Sequence, residues 1–306
     1  MNTVLKFDEI LGVDLEMSCI CNLKCPLCLS RLEQTKRKFI PHNVDVDGLI
    51  RLLDRMPSLE VVSIAGDASE PTLHPGLIRF LDYLKGRKKI FVELYTNSSL
   101  HDEAFWTELN RHFNENSMVQ FTICGSTQEL HSKYRIGSSL DVVVRNALAF
   151  RKNNPFQNDN MQYIKFEYNR TDDREKINEI FRQFSDSGFI NTDPIYERLT
   201  AEFPKNGICS DRVFRLMYAR MLDKIRRKKY RDISCYSLDH KYVRIDNFLN
   251  ISPCICYRLY FDEDFGKNGK LDYSKILNNE YDFCFECDTE MRKFMSKTDR
   301  DVFYMC

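Results

Sequence analysis

Cys21-Asn-Leu-Lys-Cys25-Pro-Leu-Cys28 is the stretch of sequence that decides the fold. Its cysteines have the spacing C-x3-C-x2-C and follow an alternating segment, residues 13–19, that predicts a strand with one buried face. Three thiolates in one short loop can converge on a single metal centre, and sulfur ligands suit iron–sulfur clusters or zinc. A zinc site needs a fourth ligand. Cys19 is the nearest other thiol, but the strand pattern predicts that it packs in the core.

The composition of the 306 residues excludes several other classes of protein. Lys+Arg and Asp+Glu both total 45, so bulk positive charge does not predict binding to nucleic acid or to an anionic membrane. Hydrophobic residues at 43% and aromatic residues at 12% exclude a disordered chain. No apolar run reaches the length of about 18 residues that a transmembrane helix needs. The start, MNTVLKFDEILGV, lacks the apolar region of a signal peptide, so we expect a cytoplasmic protein.

The 12 cysteines are unevenly distributed along the chain. Four lie in residues 19–28, seven lie between 209 and 306, and only Cys124 lies in residues 29–208. A chain of this length without an export signal does not fit a small disulfide-rich scaffold. The distribution therefore predicts two metal sites.

Short β-rich segments alternate with helical periodicity between the two groups of cysteines. Strands are predicted at 60–65, 90–95, 119–124 and 162–167, and helices from Asp45 as N-cap and at 76–84, around 105–109, at 140–150 and at 174–184. This alternation predicts an α/β fold with a parallel sheet or barrel. Functional residues of such folds gather at the carboxyl ends of the strands. We therefore expect loops 21–28, 66–71, 96–98 and 124–126 on one rim.

The chain resembles the radical S-adenosylmethionine (SAM) superfamily in these same loops. Ala65-Gly66-Asp67-Ala68-Ser69-Glu70-Pro71-Thr-Leu-His74-Pro75 resembles the family's CGxxGEPxxHP segment, which contacts the SAM amino group. Leu94-Tyr-Thr-Asn97-Ser98-Ser-Leu resembles TNGSL, with serine in place of glycine. Phe121-Thr122-Ile123-Cys124-Gly125 resembles FSIDG, with cysteine in place of aspartate.

The resemblance implies a partial (β/α)6 TIM-like barrel over residues 1–190 that binds a SAM-ligated [4Fe-4S] cluster. The implied cluster ligands are Cys21, Cys25 and Cys28. The implied SAM-binding residues are Gly66, Asp67, Glu70, Asn97, Thr122 and Arg135. Thr122 and Arg135 would hold the SAM carboxylate, for which a guanidinium is suited because it pairs bidentately. Cys124 is either a core thiol or part of this site.

The second group of cysteines brackets a predicted hairpin. Residues 241–245 alternate like a strand, and 246–250 carry turn residues. This arrangement resembles the SPASM/twitch extension of radical SAM enzymes, which binds an auxiliary [4Fe-4S] cluster. We expect linker helices and this extension over residues 191–306. The implied ligands are Cys235, Cys254, Cys284 and Cys287, with Cys256 competing with Cys254. A structural zinc is the alternative occupant.

The resemblance also implies a reaction: reductive cleavage of SAM to a 5′-deoxyadenosyl radical, which abstracts hydrogen from a substrate carbon. An auxiliary cluster could accept the second electron, as in a dehydrogenase-like oxidoreductase, with flavodoxin or ferredoxin as electron donor. Only 20 residues precede Cys21, which leaves no room for the leader-binding domain of many peptide-modifying relatives. We therefore expect a small-molecule substrate such as a sugar or aminocyclitol. The alternatives are a peptide- or protein-modifying maturase and a non-catalytic zinc-binding relative.

Overall fold

The fold is mixed α/β, and the computed structural model describes residues 4–26, 28, 41–65, 69–152, 154–156, 158–184, 188–191, 238, 241–252 and 269–273. The strands are β1 Val4–Lys6, β2 Gly12–Leu15, β3 Val61–Ile64, β4 Phe91–Thr96, β5 Ser117–Ile123, β6 Asp159–Ile164, β7 Gly188–Asn191, β8 Tyr242–Ile245, β9 Ile251–Ser252 and β10 Lys270–Asp272. The helices are α1 Val46–Leu53, α2 Leu77–Gly86, α3 Glu103–Leu109, α4 Gln128–Tyr134, α5 Leu140–Lys152 and α6 Arg174–Arg182.

One sheet organises the described residues. Its strand order is β7-β6-β5-β4-β3-β2-β8-β9, in which the seven strands from β7 to β8 are parallel and β9 is antiparallel to β8. A separate antiparallel pair joins β1 to β10. The parallel sheet predicted from the strand–helix alternation is therefore confirmed. All of its carboxyl ends lie on one edge, where the predicted functional loops begin.

The core lies between the helices and one face of this sheet. Val62 and Ile64 of β3 and Phe121 of β5 are buried there with the apolar sides of the helices. Trp106 of α3 packs edge-on against Phe121, with ring centroids 5.6 Å apart, and Phe121 packs in the same way against Phe150 of α5. Burying one such side chain contributes about 1.5–3 kcal/mol, so this aromatic group fixes α3 and α5 on the sheet.

Two predicted strand boundaries were wrong for local reasons. The strand predicted at 162–167 is β6, Asp159–Ile164, three residues earlier. It ends there because the Asn169 side chain accepts a hydrogen bond from the Phe166 amide (2.6 Å) and donates one to the Ile164 carbonyl (3.0 Å), which turns the chain. The strand predicted through Cys19 ends at Leu15. Cys19 is buried, and its backbone N–H and its Sγ bond to the backbone of His42.

The predicted hairpin near residue 245 is confirmed as β8 and β9. Arg244 pairs with Ser252, and the turn closes where the Asp246 amide donates to the Asn250 carbonyl (3.0 Å). On its other side β8 pairs in parallel with β2, so this hairpin belongs to the main sheet. All four predicted auxiliary-cluster ligands and the competing cysteine lie outside the described residues: Cys235, Cys254, Cys284, Cys287 and Cys256. In the part of the chain that is described, no helix is long and apolar enough to cross a membrane.

Candidate metal and cofactor site

The thiol loop, residues 21–28, follows β2 at the carboxyl edge of the sheet. It is anchored where the Lys24 amide donates to the Ile136 carbonyl (3.0 Å), beyond the end of α4. Within the loop, the Cys28 amide donates to the Cys25 carbonyl (3.2 Å), and the Leu23 amide donates to Cys21 Sγ (3.4 Å). Cys21, Cys25 and Cys28 are all free thiols. The spacing of the loop therefore brings three reduced cysteines to the predicted rim.

An apolar cluster surrounds these thiols. Its buried members are Leu23, Cys25, Cys124, Tyr134, Ile164 and Phe166, and Cys21 and Cys28 pack against it. Burial raises the pKa of Cys21 to about 11 and the pKa of Cys25 to about 12, with nearby Arg135 acting in the opposite direction on both. Cys21 and Cys25 are therefore protonated at neutral pH unless a bound cation displaces the protons.

Thiol chemistry fits a soft metal centre, but the coordination geometry is not already assembled. Among the described residues, no group of three His, Cys, Asp or Glu side chains is placed to hold a metal ion. The structure gives the three cysteines a common loop and a common apolar environment. Their donor set matches iron–sulfur or zinc binding.

Asn97 connects the thiol loop to the loop after β4. Its Nδ2 donates to Asn22 Oδ1 (3.0 Å) and lies 3.8 Å from Cys21 Sγ, also as a donor. Its Oδ1 accepts from the backbone amide (2.9 Å) and hydroxyl (2.6 Å) of Ser99, and Asn22 Nδ2 donates to the same hydroxyl (2.8 Å). This network holds the Asn97 amide beside a predicted cluster ligand. Asn22 was missed at the sequence level, because an asparagine between two cysteines carries no signal of its own.

Glu70 is the centre of a second network at the same rim. Its side chain is buried, and Oε1 accepts from the amide (3.2 Å) and hydroxyl (2.8 Å) of Thr72 and from the Thr96 hydroxyl (2.7 Å). Oε2 accepts from the Asn97 amide (2.7 Å), and the Glu70 amide donates to the Ile20 carbonyl (2.9 Å). Glu70 therefore ties together the loops that follow β2, β3 and β4. Gly66 and Asp67, predicted with it as SAM contacts, lie outside the described residues.

Ser98, next to Asn97, has a left-handed backbone with φ of 46°. The side chain of Asn146 on α5 fixes this turn by donating to the carbonyls of Ser98 (2.8 Å) and Leu100 (3.0 Å). The Ser98 hydroxyl is buried and has no hydrogen-bond partner. The position thus has the conformation that glycine adopts most readily, as the resemblance to TNGSL implies.

Thr122 and Arg135 are the residues that the resemblance implies for the SAM carboxylate. Thr122 is a buried residue of β5, two residues before Cys124, and Arg135 follows the end of α4. Arg135 Nε donates to Cys124 Sγ (3.4 Å), so the sulfur of Cys124 holds the guanidinium. Arg135 is also close enough to lower the pKa of Cys25 against the effect of burial. Among the predicted site residues, Arg135 therefore lies close to Cys25 and Cys21, and hydrogen bonds connect Cys21 to Asn97 and Asn97 to Glu70.

The Cys124 carbonyl connects the end of β5 to the residues that follow β6. It accepts from the Tyr168 hydroxyl (3.0 Å) and from Asn169 Nδ2 (2.9 Å), and both residues follow β6. Burial is the main cause that raises the pKa of Tyr168 above its usual range. Tyr168 therefore serves as a neutral hydrogen-bond donor that joins the ends of β5 and β6.

In comparisons with known proteins, this chain is similar to several solved structures. No family model matches the chain, and no curated protein matches it. Native anSMEcpe with bound AdoMet is 19% identical, with a TM-score of 0.47 over 80% of this chain and 74% of that one. BtrN in complex with AdoMet and 2-DOIA is 14% identical, with a TM-score of 0.42 over 80% and 73%.

A radical SAM methyltransferase from Sphaerobacter thermophilus is 12% identical, with a TM-score of 0.41 over 60% of this chain and 54% of that one. These three TM-scores lie below 0.5. The functional argument for this chain therefore depends on its own residues.

Proposed function

We propose that this chain is a radical SAM enzyme that uses Cys21, Cys25 and Cys28 to hold a [4Fe-4S] cluster. One observation carries the proposal: three of the four loops that resemble the family's motifs, those after β2, β3 and β4, meet at one rim through Glu70 and Asn97. A bound cluster and SAM would supply one-electron cleavage of SAM and hydrogen abstraction from an unactivated carbon.

The chain's own residues have separate tasks in this proposal. The three thiols would ligate iron once their protons are displaced. Asn97 would donate a hydrogen bond to the Cys21 sulfur, an interaction of the kind that tunes the potential of a metal centre. Arg135, held by Cys124, would pair with the SAM carboxylate, and Thr122 would add a hydroxyl contact. Glu70 would act by positioning Asn97 and the loop after β4.

We further propose a net two-electron oxidation of a small molecule, such as a sugar or aminocyclitol. An auxiliary [4Fe-4S] cluster on Cys235, Cys254, Cys284 and Cys287 would accept an electron, within a SPASM/twitch-like extension over residues 191–306. Residues 1–190 would form the partial barrel, and a cytoplasmic flavodoxin or ferredoxin would supply the reducing electron. Peptide maturation is the competing reaction for the same site.

The test is anaerobic reconstitution of the full chain with iron and sulfide, followed by metal analysis and reductive SAM cleavage. We expect about four iron atoms per chain for one cluster and about eight for two. Cys25→Ser should abolish SAM cleavage. Cys19→Ser is the matched control, because serine can keep both hydrogen bonds that Cys19 makes to the His42 backbone.

The outcomes separate the competing functions. Stoichiometric zinc without SAM cleavage would overturn the enzyme proposal in favour of a zinc-binding protein. Equal loss of SAM cleavage in Cys25→Ser and Cys19→Ser would show that disruption of the fold, rather than loss of a ligand, explains both. Cys284→Ala should spare SAM cleavage and block substrate turnover if the second cluster acts as an electron acceptor.

A further inference from the structure

His131 is a buried histidine of α4 to which the proposed chemistry assigns no task. Its ring lies between Cys124, which follows β5, and Ser138, which lies in the turn between α4 and α5. The Cys124 amide donates to Nδ1 (3.3 Å), and Nε2 lies 2.9 Å from the Ser138 hydroxyl oxygen. We call these two hydrogen bonds the His131 bridge. They connect the end of a strand to the turn that carries Arg135.

The two contacts decide which ring nitrogen of His131 carries the proton. A backbone amide can only donate, so Nδ1 is the unprotonated nitrogen. Nε2 then carries the hydrogen and donates to the Ser138 hydroxyl. Burial, together with nearby Arg135, lowers the pKa of His131 from 6.5 to about 3, so the ring is neutral at neutral pH and keeps this tautomer. The ring therefore has one fixed acceptor and one fixed donor.

The backbone of His131 holds the same turn. Its carbonyl accepts from the Arg135 amide (3.0 Å), and the Arg135 carbonyl accepts from the Ser138 amide (3.0 Å). Between them, the Ile136 carbonyl accepts from the Lys24 amide of the thiol loop (3.0 Å). The turn that the His131 bridge joins to β5 therefore carries Arg135 and also anchors the thiol loop.

The side chain of Arg135 depends on the other end of the bridge. Arg135 Nε donates to Cys124 Sγ (3.4 Å), and the Cys124 amide is the group that His131 accepts from. Gly125, the next residue, packs directly on α4, where an added Cβ would lie 2.3 Å from the His131 amide nitrogen. Only glycine allows so close an approach of the two backbones. The backbone and the guanidinium of Arg135 are thus both connected to one imidazole ring.

We propose that His131 is a positioning residue that fixes the Arg135 guanidinium in the orientation that pairs with the carboxylate of SAM. The identity of the carboxylate rests on the proposed function, whereas the connection from His131 to Arg135 does not. A guanidinium binds a carboxylate bidentately only when its planar fork is correctly oriented. Loss of either hydrogen bond of the bridge should therefore weaken carboxylate recognition and leave the rest of the ligand bound as before.

Two variants each remove one hydrogen bond of the bridge. In His131→Gln the side-chain nitrogen can still donate to Ser138, but the acceptor for the Cys124 amide is lost. Ser138→Ala keeps that acceptor and leaves the imidazole Nε2–H without its acceptor. Asn110→Ala is the control, because Asn110 is also buried and donates to the Phe150 carbonyl (2.8 Å), but it lies before β5, toward the amino edge of the sheet. All three variants should lower the unfolding midpoint.

The first measurement needs no SAM. NMR of the anaerobically purified full chain with isotope-labelled arginine detects the Nε–H group of Arg135, whose signal is identified by its loss in Arg135→Lys. We expect His131→Gln and Ser138→Ala to shift or broaden this signal, because the guanidinium loses its fixed position beside Cys124. Asn110→Ala should leave it unchanged. An unchanged signal in both bridge variants would overturn the proposal.

The second measurement compares SAM with decarboxylated SAM, which keeps the amino and sulfonium groups but lacks the carboxylate. Both are titrated calorimetrically into the cluster-reconstituted full chain without reductant. Each bridge variant should weaken SAM binding about tenfold and change the binding of decarboxylated SAM by less than about twofold. In an Arg135→Gln background, His131→Gln should have no further effect on the preference for SAM, because it acts through Arg135.

Three results of the titrations would overturn the proposal. They are equal weakening of SAM and decarboxylated SAM by His131→Gln, an equal loss of preference in Asn110→Ala, or additive effects of His131→Gln and Arg135→Gln. Failure of the proposed function is detected separately, as absence of reductive SAM cleavage by the unmodified chain. In that case the Arg135 signal still decides whether His131 positions the guanidinium.

Discussion

Replacing Glu70 with glutamine tests whether one buried carboxylate holds the candidate site together. Glutamine keeps the size of the side chain but presents an NH2 group where one acceptor oxygen stood. One oxygen accepts from Thr72 and Thr96 and the other from the Asn97 amide, so either orientation of glutamine turns a donor toward a donor. Hydrogen bonds to a charged group are each worth about 1.5–3 kcal/mol. The variant loses one of the hydrogen bonds that Glu70 accepts and weakens the others, because glutamine is uncharged. We therefore expect the free energy of unfolding to fall by about 2–4 kcal/mol.

Urea unfolding of the anaerobically purified chain, followed by circular dichroism, measures this loss. Glu129→Gln is the control, since Glu129 is an exposed residue of α4 whose pairing with Lys133 spans 3.8 Å, and it should change the free energy by less than about 0.5 kcal/mol. Glu70→Gln should also reduce the iron bound per chain, because the Asn97 loop beside Cys21 loses its anchor. A change in unfolding free energy no larger than that of the control would refute the view that Glu70 organises the rim.

Three further predictions concern strain, a buried charge and pH. Ser98→Gly should raise the unfolding free energy by about 1 kcal/mol more than Ser98→Ala does, because both variants remove the unpaired hydroxyl and only glycine relieves a φ of 46°; equal gains would exclude the backbone as the cause. Arg244→Met should cost about 3–5 kcal/mol in urea unfolding, since Asp14 and Glu16 stay buried without their cation; a loss below 1 kcal/mol would contradict this. Burial lowers the pKa of His131 from 6.5 to about 3, so its contribution is present above pH 6.5 and is lost as the pH falls toward 3. His131→Gln should therefore flatten the decline in urea midpoint between pH 7 and pH 4, and an unchanged slope would exclude His131 as its source.

Local patterns predicted those parts of the fold in which one physical requirement dominates. Strand β3 was found because Val62 and Ile64 alternate toward the core, and α1 because Asp45 caps it by accepting from the amides of Asp47 and Gly48. The position of β6 was missed. Asn160 and Gln162 place polar groups within a buried strand, so the apolar alternation of this strand is weak. The predicted strand was therefore placed three residues too late in the sequence.

The sequence singled out candidate site residues but not the contacts that connect them. The cysteine spacing, Glu70 and Asn97 were all singled out in the sequence, whereas the four hydrogen bonds that Glu70 accepts come from residues up to 27 positions away. The pairing of Arg244 with Asp14 spans 230 positions and has no local signal. Such contacts depend on the order of strands in the sheet, which periodicity does not encode.

The placement of β8 beside β2 has a consequence for how the protein is made. β2 is hydrogen-bonded to β3 on one side and to β8 on the other, so the strand that leads into the thiol loop remains a sheet edge until residues 242–245 have been synthesised. During that interval the nascent chain exposes unpaired backbone groups next to reduced cysteines, a state that favours aggregation and premature oxidation. Slow, non-local pairing of this kind delays completion of the fold. The pairing of β2 with β8 therefore comes late in synthesis, and expression yield should depend on chaperones and on the exclusion of oxygen.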